Sequence, residues 1–202
     1  MGGIELPSGN SGNGRLVRLF GYQEQLSLDA RGRFRLPDHL VSVLRQEMVR
    51  VRQGDGALNQ APVPERLAFY FVPGTREQVF LYPPANVRLA IRSFEDPPPG
   101  MDPDLIRRAR DYFYLRMRFV EADKQNRLMI PDGLREHARI DDGVEQVTLV
   151  AHNNWLSLTR SELAEQRTME NLEAFEQAAP DLLNPAYPRP SGTSDDTASE
   201  EL

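Results

Sequence analysis

Two stretches of the chain repeat one another. "LDARGRFRLPDHL", residues 28–40, aligns without a gap on "ADKQNRLMIPDGL", residues 122–134, at a constant offset of 94. Asp29 falls on Asp123, Arg33 on Arg127, Pro37 on Pro131, Asp38 on Asp132 and Leu40 on Leu134. A duplication of this kind restricts the chain to folds built from two copies of one unit. The local logic is the same in both copies. An aspartate, three turn residues and an arginine suit a tight reversal. Gly32 can take positive φ at little cost, and Asn126 is the next-best residue for that position. The proline removes a ladder donor and opens a helix. Downstream, "VFLYPPANVRLAI" (79–91) resembles "VTLVAHNNWLSLT" (147–159). Each unit is therefore expected to run strand, tight turn, strand, proline-started helix, strand pair.

The rest of the chain fits around these units. Residues 1–14 are rich in Gly, Ser and Asn, so a flexible lead over 1–17 is expected. Leu26 and Leu28, then Phe34 and Leu36, alternate with polar neighbours, as strands do. Leu40, Val41, Leu44 and Met48 share one helical face, and Gln53 to Arg66 reads as a loop. "LAFYFV" and "QVFLYP" read as strands, with a short helix over 84–94. The first unit thus covers 18–94. "EDPPPGMDPD", residues 95–104, is a stiff linker whose Asp102-Pro103 starts a helix. That helix is expected to reach about Leu115 and to bury Leu105, Ile106, Ala109 and Phe113. The second unit covers 105–166, with strands "EQVTLVAH" and "WLSLT" around a turn at Asn153-Asn154. Ser161 starts an acidic helix. Over 167–202 that helix gives way, beyond Pro180, to a Pro-, Ser-, Thr- and Asp-rich tail expected to be disordered. Trp155 reads as a core or interface residue.

Charge is unevenly placed. The chain of 202 residues has net charge −6, but Ser161 to Leu202 holds ten acidic and two basic residues. Residues 1–160 hold 22 basic and 20 acidic ones, and Lys124 is the only lysine. The arginine bias itself is most simply a matter of coding composition, so only placement carries information. Arg31, Arg33 and Arg35 alternate, which puts them on one strand face with Phe34 and Leu36 on the other. Three like charges on one face add no stability and call for either solvent or an anion. No acid partner is obvious for them. Asp29 and Arg33 have a simpler reading as an ion pair inside the turn. In the second unit only Arg127 and Met129 keep that face, with Lys124 near the turn. Arg127 is accordingly read as a structural partner of Asp123, and the first unit as the dominant anion binder.

Other chemistry finds no support. There is no cysteine, hence no disulfide and no thiolate metal site. His39, His137 and His152 have no metal-ligand spacing. No nucleophile elbow or phosphate-cradling glycine loop is present, and Asp141-Asp142-Gly143 lacks the rest of a calcium loop. An enzyme is not expected, nor a cofactor, a metal or a small-molecule substrate. No apolar run approaches the ~18 residues of a membrane span, and no secretory signal opens the chain. A cytoplasmic protein with no membrane partner is expected.

The repeated motifs resemble those of the MraZ family of bacterial transcriptional regulators. "LDARGRFRLP" is similar to that family's Asp-x-Lys-Gly-Arg-x-x-x-Pro. "DKQNRLMIPDGLREHARI" is similar to its second motif, Asp-Lys-Gln-Gly-Arg, three apolar residues, Pro, then Leu-Arg-Glu. "RRARDYFY" resembles its basic-aromatic helix. The resemblance covers Phe20 to Gln166. It implies an α+β, β-rich fold of two tandem SpoVT-AbrB-like swapped-hairpin repeats forming a pseudo-dimer, with flanking helices and the acidic tail. It implies a nucleoid-associated homo-oligomeric ring that binds repeated promoter boxes in double-stranded DNA and represses the division and cell-wall gene cluster. The DNA-binding arginine of the family falls on Arg33 and the motif lysine on Arg31. The candidate DNA-binding set is Arg31, Gly32, Arg33 and Arg35. Asp29, Pro37, Asp123, Asn126, Arg127 and Pro131 form the structural motif. Two departures stand out: Asn126 replaces a glycine, and Leu115-Arg116-Met117 replaces small residues. The alternative reading is a ring-forming or partner-binding scaffold without DNA recognition.

Overall fold

The structure, a computed structural model, describes residues 17, 19, 22–54 and 66–183. The element order is β1 (Tyr22–Ser27), β2 (Arg33–Arg35), α1 (Asp38–Gly54), β3 (Ala68–Pro73), β4 (Val79–Tyr82), α2 (Val87–Glu95), α3 (Pro103–Arg116), β5 (Arg118–Glu121), β6 (Arg127–Met129), α4 (Asp132–His137), β7 (Gln146–Ala151), β8 (Leu156–Arg160) and α5 (Ser161–Leu183). The fold class is α+β. Six strands form one antiparallel sheet in the order β1-β7-β8-β4-β3-β5, and β2 and β6 form a separate two-stranded ribbon. By contact the chain divides into two units, residues 1–164 and 165–202, with the boundary inside α5.

The strand order is a palindrome of the two halves. β1 of the first half pairs with β7 of the second, and β5 of the second half pairs with β3 of the first. β4 and β8 meet at the centre. The counterpart of β4 is therefore β8, and that of β3 is β7. This corrects the downstream alignment of 79–91 on 147–159, which set β4 against β7. Apolar alternation is common to all four strands, so it cannot say which of them are partners.

Period-two alternation sorts side chains to the two faces of the sheet. Phe69, Phe71, Val79, Leu81, Val147, Leu149, Leu156 and Leu158 enter one cluster with Phe34, Leu128, Leu40 and Leu134. This core is drawn from both halves. On the opposite face Tyr70, Val72 and Tyr82 meet Val87, Ile91, Phe113 and Met117 in a second cluster. Each large side chain buried this way contributes roughly 1.5–3 kcal/mol. The equivalent face of β7 and β8 is polar instead: Thr148 Oγ1 donates to Ser161 Oγ, and Thr159 Oγ1 donates to the Glu77 carbonyl. Val17, at the end of the expected lead, is buried. Its N–H donates to Asn86 Oδ1 at 3.0 Å. Trp155 stacks between His152 and Tyr82, at 5.1 and 5.9 Å.

Several local expectations need correction. In α3, Asp102 accepts from the Asp104 N–H and Pro103 opens the helix, as the sequence predicts. Only Phe113 of the expected face is buried, packed on Phe94 at 4.9 Å. Leu105 is 51% exposed, Ala109 is exposed and Ile106 is half-buried. The helical period was right, but only the last turns of α3 lie over the second cluster. α1 continues through Gln53 and Gly54, the first residues of the expected loop, and residues 55–65 lie outside the described residues. α5 runs three residues past Pro180, and the rest of the tail, 184–202, lies outside them, as does the lead before Val17.

Leu115-Arg116-Met117 is accommodated residue by residue. Met117 is buried in the second cluster, and Leu115 is exposed. Arg116 reaches across to α4, donating to the Gly133 carbonyl at 2.9 Å and pairing with Glu136 at 3.1 Å. A side chain at Gly133 would collide with that guanidinium. A cleft of about 270 Å³ opens there, lined by Leu115, Arg116, Arg118, Pro131, Gly133 and Leu134.

Candidate nucleic-acid interface

The two repeated motifs form the same turn, bond for bond. The Asp29 carbonyl accepts from the Gly32 N–H at 2.8 Å, and the Asp29 N–H donates to the Arg33 carbonyl at 2.9 Å. The Asp29 Oδ1 accepts from the N–H groups of Arg31 and Arg33, at 2.9 and 3.0 Å. Its Oδ2 takes Arg33 Nε and Nη2, both at 2.7 Å. In the second turn Asp123 does the same with Asn126, Gln125 and Arg127, and Arg127 Nε meets Asp123 Oδ2 at 2.7 Å. Gly32 has φ +69° and Asn126 φ +58°, so the expected left-handed position is present in both. Gly32 is further constrained, because a Cβ there would lie 3.1 Å from Arg135 Nε. Pro37 and Pro131 follow the strands, and their carbonyls accept the first bonds of the helices, from Val41 at 2.9 Å and from Leu134 at 2.8 Å.

The carboxylates are held ionised. At Asp123 the backbone N–H of Arg127 leads, followed by the guanidinium of Arg127 and the N–H of Gln125. Against some desolvation they bring its pKa down to about 2. At Asp29 desolvation pushes upward, and the N–H groups of Arg33 and Arg31 with the Arg33 guanidinium outweigh it, so the net shift is downward.

Two points differ from the stripe read in the sequence. β2 contains only residues 33–35, so Arg31 sits in the turn, exposed, and not on the strand. The Asp29–Arg33 pair read in the turn is present, but Arg35 also has an acid partner: its Nη2 meets both carboxylate oxygens of Asp38, at 2.9 and 3.1 Å. A side-chain carboxylate three residues on, beyond the end of the strand, is easily overlooked when the strand is read by alternation alone. Arg35 and Asp38 are both well exposed, so that pair contributes little and exchanges readily for another anion.

The ribbon also brings in what the sequence reading set apart. β2 and β6 pair antiparallel with Arg33 opposite Met129, Phe34 opposite Leu128 and Arg35 opposite Arg127. Phe34 and Leu128 are fully buried. The opposite face therefore carries Arg33, Arg35, Arg127 and Met129, with contributions from both halves. The Ile130 N–H donates to the Gly32 carbonyl and the Leu36 N–H to that of Asn126. The Arg33–Met129 and Arg35–Arg127 pairs are thus the non-hydrogen-bonded kind, whose side chains stand closest, with Cα atoms about 4.5 Å apart. Two arginines in such a pair repel one another. Asp38 and Asp123 offset this only from the sides. The repeat offset marked Arg127 as equivalent to Arg33. Nothing local said that the two strands would pair with each other.

Among the described residues no helix is long and apolar enough to cross a membrane, and no cluster of three or more His, Cys, Asp or Glu side chains is placed to hold a metal ion. Comparison with the models of known protein families and with curated proteins found no match.

Proposed function

We propose that the chain is a sequence-specific DNA-binding transcriptional regulator of the MraZ kind, acting as a repressor at promoter repeats, with the β2–β6 ribbon as its reading surface. The observation that carries this reading is the outward face of the ribbon, three arginines and a methionine on a two-stranded support whose inner residues are buried. A three-residue strand is roughly 10 Å long, and the major groove, about 12 Å wide, admits a two-stranded ribbon. The aspartate locks favour recognition. Asp29 takes Nε and Nη2 along one edge of the Arg33 guanidinium and so fixes its orientation, and less freedom is lost when the remaining N–H donors meet the O6 and N7 of a guanine. Arg31 and Arg35, both exposed, are assigned to phosphates in this reading. In the same reading the halves are two SpoVT-AbrB-like swapped-hairpin repeats closed into a pseudo-dimer. The palindromic strand order and the exchange of β1 and β5 support it. A homo-oligomeric ring is proposed as well, because one ribbon offers few cations and several linked copies multiply affinity. The exposed Leu105, Tyr112, Leu115 and Phe119 on α3 and β5 suit such contacts.

The test is titration of a duplex taken from upstream of the protein's own gene, over a range of salt. The dissociation constant should rise steeply with salt. Arg33→Ala should weaken binding by about 1–3 kcal/mol and relax preference at one base pair. Arg35→Ala should weaken all sequences evenly and lower the salt slope by about one. Arg127→Ala, read from its place on the ribbon, should weaken binding as well as lower the melting temperature. Salt-independent binding that Arg33→Ala leaves unchanged would point to the scaffold reading instead.

A further inference from the structure

The ribbon is related to itself by the repeat. Position 33 corresponds to 127 and position 35 to 129, so a symmetric ribbon would carry four arginines. It carries three. Met129 stands where the symmetric ribbon would place a fourth, 55% exposed and directly opposite Arg33. Nothing in the fold calls for it: the inward residue of β6 is Leu128, fully buried, and Met129 points away from that core. An exposed, unbranched thioether on an otherwise cationic face is a poor neighbour for phosphate and a good one for an apolar surface. In the major groove the one apolar feature that a base pair offers is the C5-methyl of thymine.

We propose that Met129 is a specificity-determining residue that contacts a thymine methyl beside the base pair reached by Arg33. The inference rests on the DNA-binding reading above. Arg33 and Met129 form a close cross-strand pair, so their side chains reach neighbouring base pairs, which are about 3.4 Å apart. The other end of the ribbon presents Arg35 and Arg127, both cationic. The ribbon therefore distinguishes its two ends, and the site it reads is asymmetric, with thymine at the Arg33 end.

The experiment begins with selection of a duplex from a random library by the wild-type chain. Each thymine of the selected duplex is then replaced in turn by deoxyuridine, which removes the methyl group alone. At one position the replacement should weaken wild-type binding about three- to fivefold, the effect of losing one buried methyl. Met129→Ala should bind the two duplexes alike, and Met129→Leu should keep most of the discrimination. Met129 is exposed, so both variants should melt as wild type does. If no uracil replacement matters, or if Met129→Ala discriminates as wild type does, the assignment to Met129 is overturned while DNA binding stands. If the library yields no preferred sequence and binding does not respond to salt, the DNA reading falls and this inference falls with it.

Discussion

The turn at 29–33 and the turn at 123–127 share each backbone hydrogen bond and the same carboxylate lock on arginine. Their surroundings differ. Gly32 lies under the Arg135 guanidinium, which also donates to the Ile140 carbonyl and pairs with Asp142 at 2.7 Å. Arg31 and Arg35 accompany the first turn and strand, whereas Gln125 and Met129 accompany the second. A duplicated motif can thus keep its internal bonds, which specify shape, while positions that face outward change freely. The Asp–Arg pair is part of the shape in both copies. For that reason it cannot rank one copy as structural and the other as functional.

The strongest way to break the comparison is to remove its shared centre. Phe34 and Leu128 face one another on the inner side of the ribbon and are fully buried. Phe34→Ala should cost about 3–5 kcal/mol and Leu128→Ala about 2–5 kcal/mol. Denaturant titration of both variants should show one cooperative transition, since the two residues enter a single core. Separate transitions for the two halves would mean that the repeats fold independently.

The left-handed position should separate the turns by a smaller margin. Gly32→Ala meets two penalties, positive φ and the guanidinium of Arg135, and should cost more than the ~1–2 kcal/mol of the backbone conformation alone. Asn126→Ala should cost no more than that backbone figure, and Asn126→Gly should change stability little, because relief of strain is offset by chain entropy. Equal losses for Gly32→Ala and Asn126→Ala would show that Arg135 yields readily.

Acid stability should sharpen the comparison least. Both carboxyls titrate below their usual value in the folded chain, so the unfolded chain binds more protons and stability rises with pH. For Asp123 the contribution is complete above the ordinary carboxyl value near ~4 and is lost as pH falls through about 2. Melting temperature followed from pH 5 downward should fall less steeply in Asp123→Asn than in the parent, from a lower starting point at neutral pH. Asp29→Asn should behave in the same sense. An unchanged acid limb in both variants would mean that the turns do not retain these bonds in solution.

By itself the sequence determined the parts. The 94-residue offset, the turn chemistry of Asp29 and Asp123, the positive φ at Gly32 and Asn126, and the burial of Phe34 and Leu36 were all legible, as was the cap at Asp102. These depend on residues within a few positions of one another, where propensity and alternation decide. Tertiary structure alone decided which strands pair. It set β4 beside β8 rather than in register with the pattern of β7, joined β2 to β6, and left Leu105 and Ala109 of α3 uncovered. It also gave Arg33 and Arg127 one shared face and put Met129 among the arginines. The physical reason is that a strand's alternation says which side chains go inward but not which other strand completes its hydrogen bonds. That choice is made by the packing of the whole core, across separations that no local pattern spans.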